Sequence, residues 1–451
     1  MQERILTLLE DKKYTELKNI LSEMNPADFA EYIEAVPRSQ LMLVFRLLPK
    51  ELASEAFVEL DSDQQMYLIE SFTDKELAVV LDELFVDDFV DIVEEMPAVV
   101  AKRMLKNTDA ETRKTVNQIL AYPEDSAGSI MTTEYVALRK SMTVSAAFDK
   151  IRKVGIDKET IYTCYVTDSK RRLSGVVTAR QLMLADSDTL LSEIMDFDPI
   201  FAYTHDDKEY VVQLFDKYDM LALPIVDTEE RLVGIVTVDD AIDVLQEETT
   251  EDIEKMAAIL PTEKPYLKTG VFDIFKSRII WLLVLMISAT FTGMIITSFE
   301  GALASCVILT AFMPMLMNTG GNSGSQASVT VIRALSLGEI DYKDVFKVFW
   351  KELRVSVLCG LALSLLNFVK MWLFDILLLK TDGLTLAVAG VVCVTLFFTV
   401  FIAKLVGCTL PIAAKKLGFD PAVMASPFIT TIVDAISLVI YFLIASQVLG
   451  L

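Results

Sequence analysis

The second half of the chain is dominated by long apolar runs that carry no charge. A helix of about 20 apolar residues crosses the hydrocarbon core of a membrane, and five successive runs approach or exceed that length. Buried helices of a soluble protein are the alternative, which five consecutive runs disfavour. We therefore predict five membrane-spanning helices, at about residues 278–299, 303–332, 353–379, 384–410 and 423–449.

Basic residues gather on one side of these predicted spans. They precede the first span, follow the second and separate the fourth from the fifth, whereas the opposite side offers only Lys380. Because basic loops stay on the cytoplasmic side, the amino terminus is predicted to be cytoplasmic and the carboxyl terminus to lie outside. The basic positions are Lys276, Arg278, Arg333, Lys343, Lys347, Lys351, Arg354, Lys415 and Lys416.

The second run contains a polar segment, NTGGNSGSQ, shortly after Pro314. Pro314 is expected to kink the helix, and the glycines to bring backbones together or to free carbonyl groups. Small residues that pack helix on helix explain part of this composition. Packing does not call for Asn318, Asn322 and Gln326, which recur every four residues on one helical face. Because polar groups at membrane depth are tolerated only against protein or a water-filled path, the amides predict a polar pathway.

The fifth span places a carboxylate among apolar residues. Asp434 follows Thr430 and Thr431 by about one turn, and a charge near the middle of a span costs about 2.5–3.5 kcal/mol on insertion scales. Such residues usually mark an ion route or a proton relay. Three other charged residues are expected to reach the membrane interface from span ends and are assigned no function, namely Lys370, Asp375 and Lys404.

Residues 1–128 repeat short amphipathic helices with acidic first turns, such as NPADFAEYIEAV and VDDFVDIVEEM. Thr73 with Glu76, and Thr108 with Glu111, have the spacing of capping boxes. Units of this kind stack into a helical superhelix, which is the first predicted domain. Acids in a first turn ordinarily stabilise the amino terminus of the helix.

A different repeat occupies residues 129–244. The segment IMTTEYVAL…SGVVTARQLM is echoed by IMDFDPIFA…VGIVTVDDAI, and each copy has strand-like runs, a charged turn and a closing helix. The pair resembles tandem CBS domains, which are α/β regulatory modules that often bind adenine nucleotides. Thr237 and Asp240 stand where ribose-contacting residues commonly fall in that family. The first copy has Thr178 and Gln181 there, so any nucleotide site is expected to be single.

Residues 245–270 connect this pair to the membrane half. A helix is predicted from about Asp239 to Leu260, ended by Pro261 and Pro265. Acids three and four residues apart repel one another along a helix. One interpretation is that these acids are simply solvated. The other is that hard cations, which take oxygen ligands, bridge them to other acids nearby. The acids concerned are Asp240, Asp243, Glu248, Glu251 and Asp252.

Charge distinguishes the two halves of the chain. Of its 41 basic and 64 acidic residues, residues 271–451 hold 12 and 10, which leaves 29 and 54 for residues 1–270. Such an excess of acid argues against nucleic acid as a partner and suits cations or simple solubility. Five scattered cysteines and the single His205 argue against a zinc site or a disulfide framework. The amino terminus lacks the apolar core of a signal peptide, so the first half is expected in the cytoplasm.

These parts, in this order, resemble the MgtE family of magnesium channels and transporters over essentially the whole chain. The motifs that carry the resemblance are DSAGSIMT at Asp125–Thr132, GGNSGSQ at Gly320–Gln326 and FDPAVMASPFITTIVDAISL at Phe419–Leu438. The implied fold class is a multidomain membrane protein. Its parts are an all-α superhelical N domain (1–128), α/β tandem CBS domains (129–244), a plug helix (245–270) and an α-helical transmembrane pore domain of five spans (271–451).

The resemblance further implies a homodimer in a prokaryotic plasma membrane, with one central Mg²⁺ pore and Asp434 as its selectivity-determining acid. Cytosolic Mg²⁺ would hold that pore shut, and an adenine nucleotide such as ATP is a further possible ligand of the CBS pair. The implied pore residues beside Asp434 are Asn318, Gly321, Asn322, Gln326, Ser426, Thr430 and Thr431. The implied regulatory positions are Asp88, Asp91, Asp207, Glu209, Asp219, Asp240, Asp243, Glu248, Glu251, Asp252 and Asp420.

Two other functions compete with this interpretation. A membrane-anchored nucleotide sensor would use the CBS pair as receptor and the spans as anchor, but it needs neither Asp434 nor the amides. A proton-coupled transporter would use Asp434 as its carrier, yet the spans show no obvious inverted repeat and no second strong candidate for a relay. An enzyme is not expected, since no nucleophile–base arrangement is visible.

Overall fold

The structure, a computed structural model, describes residues 1–262, 266–379, 381, 383–424 and 426–450. The chain divides into two units, Met1–Leu245 and Gln246–Leu451, and each is described by itself. Within the described residues the first unit holds short helices and two small sheets, and the second holds long apolar helices.

Ten short helices fill the first 119 residues. Each turns an apolar face toward one shared core, in which Phe29, Phe57 and Phe89 are fully buried. The predicted all-α amino-terminal domain is confirmed. The helices are α1 (Gln2–Glu10), α2 (Tyr14–Ser22), α3 (Pro26–Ile33), α4 (Arg38–Phe45), α5 (Lys50–Val58), α6 (Ser62–Ser71), α7 (Asp74–Leu81), α8 (Val86–Glu95), α9 (Ala98–Asn107) and α10 (Ala110–Ile119).

One of the two predicted capping boxes forms. Thr73 N donates to Glu76 Oε2 at 2.8 Å and Glu76 N donates to Thr73 Oγ1 at 3.3 Å, which closes the box at the start of α7. The prediction for Thr108 is wrong, because the helix begins one residue later than the pattern suggested. Asp109 caps α10, and its carboxylate accepts from the backbone N–H groups of Glu111 and Thr112.

Two sheets of the same topology follow, and they confirm the tandem CBS domains. In each, the first strand pairs parallel with the second and the second pairs antiparallel with the third, with a register shift near the end of the second strand. A helix connects the first two strands of each copy. The elements are β1 (Ala137–Leu138), α11 (Val144–Val154), β2 (Thr163–Thr167), β3 (Leu173–Thr178), α12 (Ala179–Leu184), α13 (Leu191–Ile194), β4 (Ala202–Tyr203), α14 (Lys208–Tyr218), β5 (Ala222–Val226) and β6 (Leu232–Thr237).

Helix α15 (Val238–Met256) follows β6 directly and ends four residues before the predicted position. Ala258 adopts a left-handed conformation with φ of 55°, and Ile259 N donates to Glu254 O at 2.9 Å across the turn. Such a left-handed residue ends a helix by satisfying its last carbonyls. Pro261 therefore lies beyond the stop, and Pro265 lies outside the described residues.

Four of the described helical segments are long and apolar enough to cross a membrane: Val271–Ser298, Tyr342–Leu378, Leu386–Lys416 and Pro427–Leu449. They correspond to the first, third, fourth and fifth predicted spans. The helices of this unit are α16 (Val271–Ser298), α17 (Glu300–Ser305), α18 (Met313–Ser336), α19 (Val345–Lys370), α20 (Leu386–Lys416) and α21 (Ser426–Leu449), with a π-helical turn at Met371–Leu378.

The second predicted span is not one continuous helix. The chain breaks at Cys306 between α17 and a 3₁₀ segment, Val307–Phe312, and α18 begins only at Met313. Pro314 stands in the first turn of α18, where its missing N–H has no helical partner to lose. It therefore starts this helix, and the prediction that it would kink one is wrong.

The three charged residues expected near span ends have different surroundings in the structure. Lys404 is buried, with 6% of its surface exposed. It lies one turn before Cys408, on the side of α20 that packs against α18. Lys370 and Asp375 form an ion pair at 3.1 Å.

Candidate functional site

The amides of α18 form one exposed stripe. Asn318, Asn322 and Gln326 are exposed, and Asn322 Nδ2 donates to Asn318 Oδ1 at 3.3 Å. The opposite side of the helix is buried against the rest of the unit. Amides on the outer face of an apolar helical bundle must meet water or protein, because lipid cannot satisfy them.

The glycines of α18 bring other helices into contact with its backbone. A Cβ built on Gly407 of α20 would lie 2.2 Å from the carbonyl oxygen of Gly324. A Cβ built on Gly321 would lie 3.0 Å from the methyl carbon of Thr430 in α21. These glycines let α18 pack closely against its neighbours, and the helix itself continues through them.

Contacts between α18 and α21 fix the depth of the membrane carboxylate. Gly320 faces Val433 and Ser437, whereas Gly324 faces Ile429, so the two helices run in opposite directions. Counting along α21 from these contacts places Asp434 level with the first two amides of the stripe, since each helical residue advances about 1.5 Å.

Asp434 has few partners of its own. It is half-buried, and no hydrogen bond or ion pair to its carboxylate occurs among the residues that the structure describes. The hydroxyls of Thr430 and Thr431 donate to the carbonyl oxygen of Pro427 at 2.9 and 3.0 Å, which leaves their lone pairs available as acceptors. The side chain of Ser426 lies outside the described part of the chain.

A second candidate site is a cluster of carboxylates in the first unit. One oxygen each of Asp87, Glu134 and Glu159 lies within 4.8 Å of the others. Asp87 is 7% exposed, and a buried oxygen of Glu159 has no hydrogen-bond partner within the described residues. Val86 N donates to Glu134 Oε2 at 3.3 Å, so the start of α8 and the segment before β1 position the acids together.

Asp88 and Asp240 belong to the same group of acids, and its carboxylates raise one another's pKa values. Burial, followed by the charge of Asp240, raises the pKa of Asp88 to about 7 and that of Glu159 to about 7. Burial also raises the pKa of Asp240 to about 6, and the same two causes raise the pKa of Asp87 well above its ordinary value. An oxygen donor set of this kind fits a hard divalent ion such as Mg²⁺.

Sequence reasoning found only part of this cluster. Asp88 and Asp240 were predicted, whereas Asp87, Glu134 and Glu159 were missed. Asp87 was assigned to the support of a helix amino terminus, although it adjoins the apolar face of α8 that buries Phe89 and Val90. Its position beside that apolar face was the sequence signal that its side chain is buried. Asp91, which was predicted, is exposed on the same helix.

The other predicted regulatory acids of the first unit are spread out. Asp207 caps the start of α14 and accepts from Glu209 N at 2.8 Å, whereas Asp219 ends that helix in a left-handed conformation with φ of 51°. Eleven helical residues separate them, or about 16 Å, so one ion cannot bind both carboxylates. Asp243 is exposed on α15.

The end of α15 contacts other parts of the second unit. Lys255 Nζ lies 2.7 Å from Asp420 Oδ2 and 2.5 Å from Glu251 Oε1. Ser336 Oγ donates to Asp252 Oδ2 at 2.9 Å. Three predicted regulatory acids are therefore close together here, around an ammonium group. Glu248 lies one turn earlier on the helix and is half-buried.

A cavity of about 580 Å³ opens beside the first CBS copy. Thr178 caps α12 there and forms a capping box with Gln181, and in the second copy Asp240 Oδ2 accepts from the N–H and the hydroxyl of Thr237. At the predicted nucleotide position, the Asp240 carboxylate therefore already accepts a hydrogen bond from the Thr237 hydroxyl. The residues that line the cavity are Tyr162, Thr163, Thr178, Ala179, Arg180, Gln181, Leu184 and Leu221.

Comparison with family models divides the chain in the same order. Residues 313–444 match a model described as a divalent cation transporter, MgtE. Residues 24–125 match the MgtE intracellular N domain, and residues 127–188 and 191–247 each match the CBS domain.

Known proteins are similar over nearly the full length. The magnesium transporter MgtE of Thermus thermophilus is 37% identical over 439 residues, which cover 96% of this chain and 95% of that protein. Magnesium transporter MgtE of Bacillus subtilis is 32% identical, with coverage of 98% and 96%. A crystal structure of the cytosolic domain of the Mg²⁺ channel MgtE in complex with ATP matches with a TM-score of 0.52 at 36% identity, over 54% of this chain and all of that one. The chain therefore belongs to the MgtE family of magnesium transporters.

Proposed function

We propose that this protein admits Mg²⁺ through a pore lined by the amide stripe of α18 and by Asp434, and that cytosolic Mg²⁺ closes the pore. The observation that carries the proposal is the exposed stripe of Asn318, Asn322 and Gln326 at the depth of the Asp434 carboxylate. Mg²⁺ loses its water shell reluctantly and is usually held through few protein ligands. One anionic point with amides around it suits the passage of a hydrated ion.

The stripe also supports a homodimer. In a single chain the amides face outward, where a membrane would leave them unsatisfied. A second copy related by a two-fold axis would enclose them and bring two Asp434 carboxylates together. We propose five spans, with α18 as the second, the amino terminus in the cytoplasm and the carboxyl terminus outside.

The closing signal is proposed to act at the acids of the cytoplasmic parts. Without a cation, the acids of the cluster at Asp87 and Asp88 repel one another, and at the end of α15 the Lys255 ammonium offsets only part of the negative charge. Mg²⁺ would bridge them and favour a compact, closed arrangement. About 5.5 kcal/mol of preferential binding shifts a population from 1:99 to 99:1, which several weak sites per subunit are able to supply together.

An adenine nucleotide is a further proposed ligand. A relative's cytosolic domain has been crystallised with ATP, and Arg180 beside the cavity of the first CBS copy offers a charge for phosphate groups. The cavity supports a site at Thr178 in place of the one predicted from Thr237.

Mg²⁺ entry into liposomes that contain the purified protein tests the pore. Entry is expected to fall at least about 100-fold in Asp434→Ala, because the only strong anionic point of the proposed pathway is removed. Asp273→Asn, an exposed acid in the first turn of α16, serves as the matched control and is expected to transport normally. Unchanged entry in Asp434→Ala would exclude this acid from the pathway. No entry through correctly inserted wild-type protein would refute the transport proposal.

A further inference from the structure

Lys255 places a positive charge between two carboxylates at the end of α15. Its ammonium contacts Glu251, one turn earlier on the same helix, and Asp420, which lies in the loop between α20 and α21. One side chain therefore joins the plug helix to the membrane unit. Ala422 N also donates to Asp420 Oδ1 at 2.7 Å, which fixes the orientation of that carboxylate.

The surroundings hold this arrangement in place. Met256, next to Lys255, packs against Ile332 and Ala422. Burial opposes the charge of Lys255, but its hydrogen bonds to Asp420 and Glu251 outweigh burial and raise the pKa of the ammonium. The group is therefore charged throughout the physiological range.

The same two carboxylates are among the acids that we propose as ligands of closing Mg²⁺. An ammonium group and Mg²⁺ both bind carboxylate oxygens, and they repel each other at contact distance. Both cannot be bound between Glu251 and Asp420 at once. The lysine differs from the ion in one respect, since it is attached to the helix and its concentration does not vary.

We propose that Lys255 is a tethered competitor of the divalent cation at this position. Without Mg²⁺, the ammonium holds Glu251 and Asp420 together and partly closes the joint between α15 and the membrane unit. When Mg²⁺ binds these carboxylates, it displaces the ammonium, so this one contact is held in both conditions and full closure depends on the other acids that Mg²⁺ bridges. The inference rests on the proposed closing by Mg²⁺ and assigns a residue to its regulation.

Hydrogen exchange of residues 246–262 in the full-length protein tests this, once in EDTA and once in saturating Mg²⁺. Lys255→Met removes the charge and keeps most of the aliphatic chain. Its backbone amides are expected to exchange about tenfold faster than wild type in EDTA, because two charged hydrogen bonds are lost. In saturating Mg²⁺ they are expected to exchange at the wild-type rate. Lys255→Arg retains the charge and is expected to remain protected in EDTA.

Two controls separate competition from a merely structural role. Glu251→Gln removes a ligand of both cations and is expected to exchange faster in both conditions. Lys347→Met breaks an exposed ion pair with Asp344 in the same unit and is expected to change neither. Faster exchange of Lys255→Met in both conditions, or in neither, would overturn the proposal. Failure of Mg²⁺ entry with this pattern intact would refute transport and leave the competition standing.

Discussion

At the scale of single residues, Gly407 lets α20 approach the backbone of α18 closely. Gly407→Ala places a methyl group 2.2 Å from the carbonyl oxygen of Gly324, and backbone cannot move as a flexible side chain does. The substitution is expected to destabilise the protein by about 2–3 kcal/mol or to prevent insertion, as measured by thermal unfolding in detergent. Gly390→Ala is the matched control, because its Cβ on the same helix would meet nothing within 4 Å. Equal stability of the two variants would contradict this packing.

The carboxylate cluster predicts an unusual dependence on pH. The pKa of Asp88 is raised to about 7 and that of Asp240 to about 6, so the folded protein holds protons that the unfolded chain releases near pH 4. Stability from these groups is fully present below about pH 4 and is lost as pH rises from there through about 6 to 7. In EDTA, hydrogen exchange of α8 is therefore expected to accelerate between pH 5 and 8, beyond the intrinsic change, and Mg²⁺ is expected to suppress the effect.

The variant Asp87→Asn identifies the groups responsible. It removes one buried charge, so the acceleration with pH and the protection by Mg²⁺ are both expected to become smaller. Asp216→Asn, at an exposed position on α14, is expected to leave both unchanged. A pH dependence that persists undiminished in Asp87→Asn would place its origin elsewhere.

Individual residues were predictable where local chemistry decides their role. Thr73 and Glu76 form their capping box because both partners lie within four residues of each other. Glu134 and Glu159 were not predictable, since the loops that bring them to α8 lie far from it in the chain. Lys404 was judged by its distance from a span end, whereas packing against other helices decides its burial.

At the scale of elements, the sequence predicted which segments are helical better than it predicted where a helix is interrupted. The apolar runs became helices as expected, but the second run contains a break at Cys306 that its hydropathy conceals. Helix α18 owes its buried side to glycine and serine, which hydropathy scores poorly although they pack well. Its amides lower the mean hydropathy further, which explains why α18 is not among the four helices of the described residues that are apolar enough to cross a membrane.

Helix α15 carries acids on which the proposed closing by Mg²⁺ depends. Asp252→Asn with Glu248→Gln reduces the charge near its end, so Mg²⁺ binds less tightly there. The double variant is expected to keep conducting at internal Mg²⁺ concentrations that close the wild type, with at least about a tenfold shift in the closing concentration. Flux into liposomes with varied internal Mg²⁺ measures this. Closure at the wild-type concentration would remove these acids from the sensor.

At the scale of the whole molecule, the outward stripe of α18 predicts a second copy. Asn322→Cys, in a protein whose Cys306 and Cys359 are replaced by serine, is expected to form a disulfide between two chains on oxidation, since residues beside a two-fold axis meet their own copies. Leu361→Cys, exposed on α19, is the control and is expected to stay monomeric on a non-reducing gel. Cross-linking at Leu361 and none at Asn322 would place the interface elsewhere.

Order of domains and fold class were predictable because each part has its own periodicity and charge. The candidate sites were less predictable from the sequence. Apolar runs and tandem repeats are written into consecutive residues, whereas the carboxylate cluster joins α8 to segments before β1 and before β2. A single sequence gives no register for such contacts.

Helix α15 runs without interruption from the end of β6 to Met256, and it contains neither glycine nor proline. Nineteen residues make a rod of about 28 Å, with Asp240 of the carboxylate cluster near one end and Lys255 near the other. Such a rod works as a lever arm. A tilt of about 10° at the cluster would move the far end by about 5 Å, roughly the pitch of one helical turn. A small change in the direction of the first turn of the helix would therefore be amplified at its last turn.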